Sequence, residues 1–430
     1  MAASVDPVDP YLPRVVDPEI DELLGGLAAL SLDGAKGVGK TATAQRRART
    51  IYRLDDAATL DVVRADPARL ASGPPPILVD EWQRFPASWD IVRRAVDADN
   101  TPGKFLLTGS ATPAERPTHS GAGRIVRIRM RPLTLPERGV EQPTVSLARL
   151  LDGHRLPVHG SSAVTLDTYV GEILRGGFPG MRSPAERARR AALDGYLARI
   201  VDTDLPGLGV DIRRPGTLRR WLTAYAAATA TSASYESIRD AATAGERDKP
   251  AKTTTIPYRE ALERLWILDP LEAWAPHLNH LRRLSTGPQH HLADPALAAR
   301  LTGMGAAALL RGNGPGSIPR NGVFLGSLFE SLAVLSIRVF AQAAAATVSH
   351  LRTRGGEREI DLIVERDDGT VVAVEVKLTA VPTDADVRHL RWLQDRLGDQ
   401  VLDAVVITTG AHAYRRPDGI AVVPLALLGP

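Results

Sequence analysis

At 430 residues, with 53 Lys and Arg against 50 Asp and Glu, the chain is too long for one ordinary core, and its net charge of only +3 does not mark it as a nucleic-acid binder overall. An apolar share of 44% lets each of roughly two to four domains bury a core of its own. Cysteine is absent, which excludes disulfides, thiolate zinc sites and a cysteine nucleophile together.

Met1 to Pro10 carries Asp and Pro where a secretory leader needs a basic start and an apolar core, and reads as a disordered lead-in. No segment reaches about 18 uninterrupted apolar residues, so the expectation is a cytoplasmic protein without a membrane partner. Tyr11 to Arg14 begins the ordered part, Asp17 to Leu24 reads as a helix with Pro18 in its first turn, and Leu27 to Leu32 suits a buried strand. Gly34, Ala35, Lys36, Gly37, Val38, Gly39, Lys40 and Thr41 then follow the G-x-x-x-x-G-K-[ST] spacing of a phosphate-binding loop. Glycines at that spacing let backbone N–H groups form a concave nest for phosphate oxygens, and the next helix adds its positive end. ATP with Mg²⁺ is the expected ligand: Lys40 reaches the β- and γ-phosphates, and Thr41 gives a hydroxyl to the ion.

Thr50 to Leu54 reads as a short strand, and Ser72 to Pro76 as a turn. Ile77 to Val79 is an apolar run into Asp80 and Glu81, as when a buried parallel strand delivers carboxylates to the ligand edge of a sheet. Asp80 is the expected Mg²⁺ partner and Glu81 the base that polarises water. Lys104 to Leu107 is a further strand, ending in Thr108 and Ser110, candidates for sensing the γ-phosphate. Residues 123–131 largely alternate basic and apolar side chains, the period of a half-exposed strand, and Arg124 at its start is the first choice for a charge-stabilising finger. Five strands in βα order predict a parallel three-layer α/β P-loop NTPase core over residues 11–135.

These stretches, Gly34 to Thr41, Ile77 to Arg84, Phe105 to Ser110 and Gly123 to Thr134, resemble a widespread, uncharacterised group of prokaryotic AAA-type, STAND-like P-loop ATPases. Lys36 stands where such proteins often carry Arg. The resemblance implies a C-terminal region of unknown function, and a glycine-proline turn with an Arg/Asp-bearing helix that match Gly177, Pro179, Arg199 and Asp202 or Asp204.

Residues 136–210 read as an irregular stretch leading into a helical connector, with helices over Asp167 to Leu174 and Arg187 to Ile200. Helices over Thr217 to Thr229, Tyr235 to Ala244 and Lys252 to Leu265, then strand-like Trp266 to Trp274 and Arg283 to Leu292, predict a winged-helix domain over 211–312. Lys252, Thr254 and Arg259 would open its recognition helix as candidate DNA-phosphate contacts. His290 and His291 are strand neighbours pointing to opposite faces, and read as structural.

Over 313–430 the order is helix, strand, strand, an Asp367-Asp368-Gly369 turn, strand, helix, strand. Asp361 opens one strand of the hairpin, and Glu375 and Lys377 end its partner on one face. Two acids and a lysine on one patch suit a divalent-metal phosphodiesterase holding a second Mg²⁺. The arrangement resembles the PD-(D/E)xK nucleases, a restriction-endonuclease-like α/β fold, and that resemblance adds Glu330 on the preceding helix. Three functions remain open from the sequence: an ATPase coupled to a nucleic-acid or regulatory task, an ATP-gated metal-dependent DNA nuclease, and a STAND-like scaffold whose ATP state controls a protein partner or self-association.

Overall fold

The computed structural model describes residues 11–110, 122–183, 185–210, 212, 214–243, 252–274, 287–311, 322–353 and 355–430, without the side chains of 252–254. The expected lead-in and the Gly/Pro-rich boundary at 313–321 lie outside the described residues. Two compact units divide the chain, Met1–Leu133 and Thr134–Pro430.

In the first unit β1 (Ala29–Asp33), β2 (Thr50–Arg53), β3 (Ile77–Asp80), β4 (Phe105–Gly109) and β5 (Val126–Arg129) form one sheet in the order β2-β3-β4-β1-β5. Every neighbouring pair is parallel. The three central strands are buried along their whole length, which is why they read as mostly apolar runs, whereas the edge strands β2 and β5 are more exposed. Helix Ala87–Ala98 buries Trp89, Val92 and Val96, one face at the helical period. Trp82 and Trp89 lie 4.8 Å apart, tilted against one another within the core under β3 and β4. Fully burying a side chain such as Val92 contributes about 1.5–3 kcal/mol. Because β4 is inserted between β1 and β3, the residue ending β4 stands between the glycine loop and the acid pair.

The second unit joins a helical region to a mixed sheet. Helices Leu166–Arg175, Glu186–Arg199, Pro215–Ala227, Tyr235–Ala241 and Lys252–Arg264 fall close to the expected ranges. Antiparallel bridges then pair Leu268 with Leu292 and Leu271 with Gln289, while 275–286 lie outside the described residues. The stretch read as part of a connector contains β6 (Val145–Ser146) and β7 (Gly160–Ser161), and both pair with strands at the far end of the chain. Two-residue strands are too short to show a period, so nothing in the sequence marked them.

Beyond lie β8 (Thr347–Arg352), β9 (Glu359–Glu365), β10 (Val371–Val376), β11 (Val401–Thr408), β12 (His412–Arg415), β13 (Ala421–Pro424) and β14 (Leu428–Gly429). The large sheet runs β7-β12-β13-β11-β10-β9-β8, with β10, β11 and β13 parallel and the other pairs antiparallel. Helix Arg388–Leu397 links β10 to β11. Helix Gly322–Ala343 is long and apolar enough to cross a membrane, yet two thirds of its apolar window is buried inside the fold, as in a core helix.

Candidate nucleotide and carboxylate sites

The loop from Gly34 to Thr41 closes over the end of β1. Gly39 takes φ +101°, a left-handed conformation that glycine adopts without strain, and opens helix Lys40–Gln45. Gly34 is fixed by crowding: a Cβ there would lie 2.2 Å from the Met130 carbonyl oxygen. Lys40 is 5% exposed, and its Nζ donates to the carbonyls of Gly34 (2.8 Å) and Ala35 (3.0 Å). Burial pushes its pKa down to about 8, against the opposing pull of the Glu81 and Asp33 carboxylates.

The acid pair meets this loop. Thr41 Oγ1 donates to Asp80 Oδ1 at 2.8 Å, and the hydroxyl of Thr108 donates to the same oxygen. Register explains it: β4 pairs Thr108 with Leu32 of β1 on one side and Leu107 with Val79 of β3 on the other, so Thr108 stands level with Asp80. Glu81 follows in the left-handed region at φ +53°, a strained setting for a non-glycine residue that turns its side chain out of the sheet. The Glu81 carboxylate accepts from Ser110 Oγ at 3.1 Å and from the Gln83 amide, which also donates to Ser110 at 3.1 Å. The Glu81 N–H donates to Thr108 Oγ1 at 3.3 Å. Lys40, Thr41, Asp80, Glu81, Thr108 and Ser110 are thus gathered at one sheet edge. The converging donors are all oxygen, hydroxyl and carboxylate, the set that suits Mg²⁺ rather than a softer metal.

Arg124 is not brought there. β5 runs parallel to β1, so its start lies at the opposite end of the sheet, about 16 Å below the level of the loop. Its guanidinium binds Asp97 at 2.8 Å. The same register sets Arg129 level with Asp33, where its charge acts on both Asp33 and Lys40. The periodic run marked several arginines, and only the pairing could single out Arg129. Arg127 meets Asp33 at 3.5 Å; burial raises the Asp33 pKa, and the Arg127 charge and the Ser31 hydroxyl (2.9 Å) oppose that rise. A second residue that sequence reasoning missed is Arg14, 6% exposed, which donates to the Val38 carbonyl of the loop (2.7 Å) and to the Arg131 carbonyl (2.6 Å).

In the second unit the hairpin does what its register demands. Val374 pairs with Leu362, so the next position sets Glu375 opposite Asp361. Lys377 Nζ lies 2.9 Å from Glu375 Oε2 and 3.9 Å from Asp361 Oδ2, and Asp361 accepts the Val376 N–H at 2.7 Å. Glu375 is 2% exposed; burial, and after it the Asp361 charge, raises its pKa well above the usual carboxylate range. Burial alone would lower the Lys377 pKa, but Asp361 and Glu375 outweigh it and hold the ammonium charged. Glu330 is pushed up by burial and by Asp361, and accepts the Gln289 amide at 2.6 Å. All four expected residues therefore act on one another electrostatically. A second Mg²⁺ does not fit them as placed: the ammonium of Lys377 sits against both carboxylates, and among the described residues no three metal-binding side chains converge on a point.

Gln289 and His291 were not foreseen as parts of this cluster. Gln289 Oε1 contacts His291 Nε2 at 3.0 Å, and His291 Nδ1 contacts Ser331 Oγ at 3.2 Å. Burial drops the His291 pKa to about 3, so the ring is neutral, and the amide oxygen assigns its proton to Nε2. His290 points the other way, bonding the Ala233 carbonyl at 2.7 Å between Tyr225 and Tyr235. Arg259 stacks at 4.6 Å over Tyr235 and pairs with Glu263 at 3.7 Å, which turns it toward protein; the side chains of Lys252 and Thr254 lie outside the described residues. Arg199 meets Asp204 at 3.6 Å, and Asp202 meets Arg219 at 2.7 Å.

The sheet order, the loop and the acid pair define an AAA-family P-loop ATPase domain. Comparison with known proteins agrees: the AAA domain family matches residues 28–138, one domain of unknown function (DUF8612) matches 166–308, and another (DUF4143) matches 325–428. Over 402 residues the chain is 26% identical to the uncharacterized protein Rv2008c of Mycobacterium tuberculosis and to Mb2031c of Mycobacterium bovis, covering 91% of this chain and 79% of each relative. Among solved structures, the Walker-type ATPase PABY2304 of Pyrococcus abyssi aligns at TM-score 0.37 and 16% identity, over 66% of this chain and 94% of its own. The ORC2 protein of Aeropyrum pernix, in ADPNP–ADP complexes, aligns at 0.31 and 15%, over 70% and 95%.

Proposed function

We propose that the chain is a Mg²⁺-dependent ATPase whose AAA-type domain turns over ATP and couples that turnover to a nucleic-acid-related or regulatory task. The observation that carries this reading is the junction of Thr41, Asp80 and Thr108 on one carboxylate oxygen beside the buried Lys40. The backbone nest and Lys40 would bind the phosphates and Thr41 and Asp80 would hold the ion, which would supply neutralisation of phosphate charge. Glu81 takes the proton of the attacking water, and Ser110 and Gln83 fix the direction of its carboxylate. Thr108 ties the Glu81 backbone to Asp80, so metal holder and base move together. The test is Mg²⁺-dependent phosphate release by the full chain beside its Lys40→Ala and Asp80→Asn variants. Loss of release in both supports the reading, and release that persists in either variant overturns it.

Three helices followed by an antiparallel pair support a winged-helix reading of the middle region. DNA is the partner this suggests, through Lys252 and Thr254 rather than the stacked Arg259. DNA affinity should then fall steeply with salt, and absent binding at low salt would favour the scaffold reading, in which ATP controls a protein partner or self-association.

A second reading, a nucleotide-gated DNA nuclease, rests on the meeting of Glu330, Asp361, Glu375 and Lys377 on a helix, hairpin, helix and strand, and it requires the Lys377 ammonium to leave the two carboxylates before a divalent ion could enter. Cleavage that is lost in Asp361→Ala while ATP turnover persists would support it. No cleavage by the unaltered chain with ATP and divalent cations would remove it.

A further inference from the structure

Outside both sites, the helical region of the second unit holds a pocket of about 210 Å³ between helices Leu166–Arg175, Glu186–Arg199 and Pro295–Leu301. Arg175, Arg189, Arg190 and Arg300 line it, with Glu186 the one acid among the lining residues. Small residues, Gly171, Gly303 and Gly305 among them, leave the room.

The balance of charge around it is positive for a structural reason. Arg175 reaches Glu172 at 3.0 Å, but the same buried carboxylate also serves Arg182 at 2.9 Å and Arg138 at 3.4 Å. Two carboxylates, Glu172 and Asp294, serve three guanidiniums, which leaves Arg175 incompletely neutralised. Burial, and after it the neighbouring Arg138, lowers the Arg182 pKa. At the mouth, Arg190 pairs with Glu186, and both side chains are more than half exposed. Such a pair holds weakly and can be exchanged for a stronger anion. Arg300 is fixed by a two-pronged bond to Asp194 at 2.5 and 2.6 Å, which sets its guanidinium in place.

We propose that this pocket binds a phosphate group, of a free small phosphate compound or of the end of a nucleic-acid strand. Guanidinium forks match phosphate oxygens two at a time, so a cavity lined by Arg175, Arg189 and Arg190, with Arg300 held beside them by Asp194, suits a multiply charged oxyanion. The volume holds one or two phosphates and falls below the ~300–1,000 Å³ of pockets that engulf larger ligands. Its lining residues all belong to the second unit and lie within residues matched to a domain of unknown function.

The experiment titrates full-length Lys40→Ala, in which the glycine loop is crippled, with inorganic pyrophosphate by calorimetry. One site should remain, and adding Arg189→Gln with Arg190→Gln should weaken it by at least about tenfold, through the loss of hydrogen bonds to a charged group. Arg187→Gln, an exposed position of the same helix outside the pocket lining, should leave it unchanged. Competition by a 5′-phosphorylated oligonucleotide but not by its dephosphorylated form identifies a strand end as the ligand; competition by neither identifies a free phosphate compound. No uptake in Lys40→Ala overturns the proposal, as does uptake indifferent to Arg189 and Arg190, an equal loss in Arg187→Gln, or equal competition by both oligonucleotides.

Discussion

Lys40 makes nucleotide binding depend on pH in a direction the structure fixes. Burial lowers its pKa from 10.5 to about 8 in the ligand-free loop, so the lysine gives up its proton across the range where phosphates are fully ionised. A bound triphosphate needs the ammonium and raises that pKa again. Binding is therefore accompanied by proton uptake above pH 8, and affinity must fall as pH rises. Between about pH 7.5 and pH 9.5 the protonated fraction of the free site drops roughly 25-fold, so the dissociation constant should rise by about that factor, near 1.9 kcal/mol. Titration calorimetry with a non-hydrolysable ATP analogue, repeated in buffers of different ionisation enthalpy, reads both quantities. Uptake should be about 0.9 proton at pH 9 and about 0.2 at pH 7.5. A constant affinity over this range, or no proton uptake at pH 9, would refute the placement of Lys40 as a buried, phosphate-seeking ammonium.

Three other perturbations test separate parts of the structure. Gly34→Ala sets a methyl group against the Met130 carbonyl; it should lower stability by about 1–3 kcal/mol in urea unfolding and weaken ATP binding, and an unaltered melting curve would mean the loop is not packed on β5. Arg138→Met removes the fully buried guanidinium facing Glu172 and Asp294, with an expected loss of about 3–5 kcal/mol, whereas a loss under about 1 kcal/mol would show the cluster to be wet. Lys377→Met strips the cation from Glu375 and Asp361. Carboxyl groups whose folded pKa is raised favour the fold at low pH and stop doing so as pH climbs through that value, so the urea midpoint should drop more at pH 8 than at pH 5, and an equal drop at both would contradict the coupling.

Local chemistry was legible in the sequence wherever one segment carries the whole signal. The glycine loop, the run into Asp80 and Glu81 and the Asp367–Gly369 turn each announce themselves by spacing, and each stands where expected. The β9–β10 register that joins Asp361 to Glu375 also followed from alternation alone. What stayed hidden depends on pairing between distant segments. Arg124 and Arg129 look alike in a basic strand, and only the parallel register with β1 separates the far end from the near one. Val145 and Gly160 gave no strand signal because their order comes from partners more than 200 residues away. Gln289 reaches Glu330 through a bridge that no period could announce.

The account rests on Glu81 acting as the base beside a working phosphate loop, and Glu81→Gln addresses it most directly. The amide keeps the size of the side chain and its bonds to Ser110 and Gln83 within reach, so ATP analogue affinity should hold while Mg²⁺-dependent turnover falls by about 10²–10⁴-fold. Turnover that survives the substitution, or a chain that neither binds nor hydrolyses ATP to begin with, would contradict it.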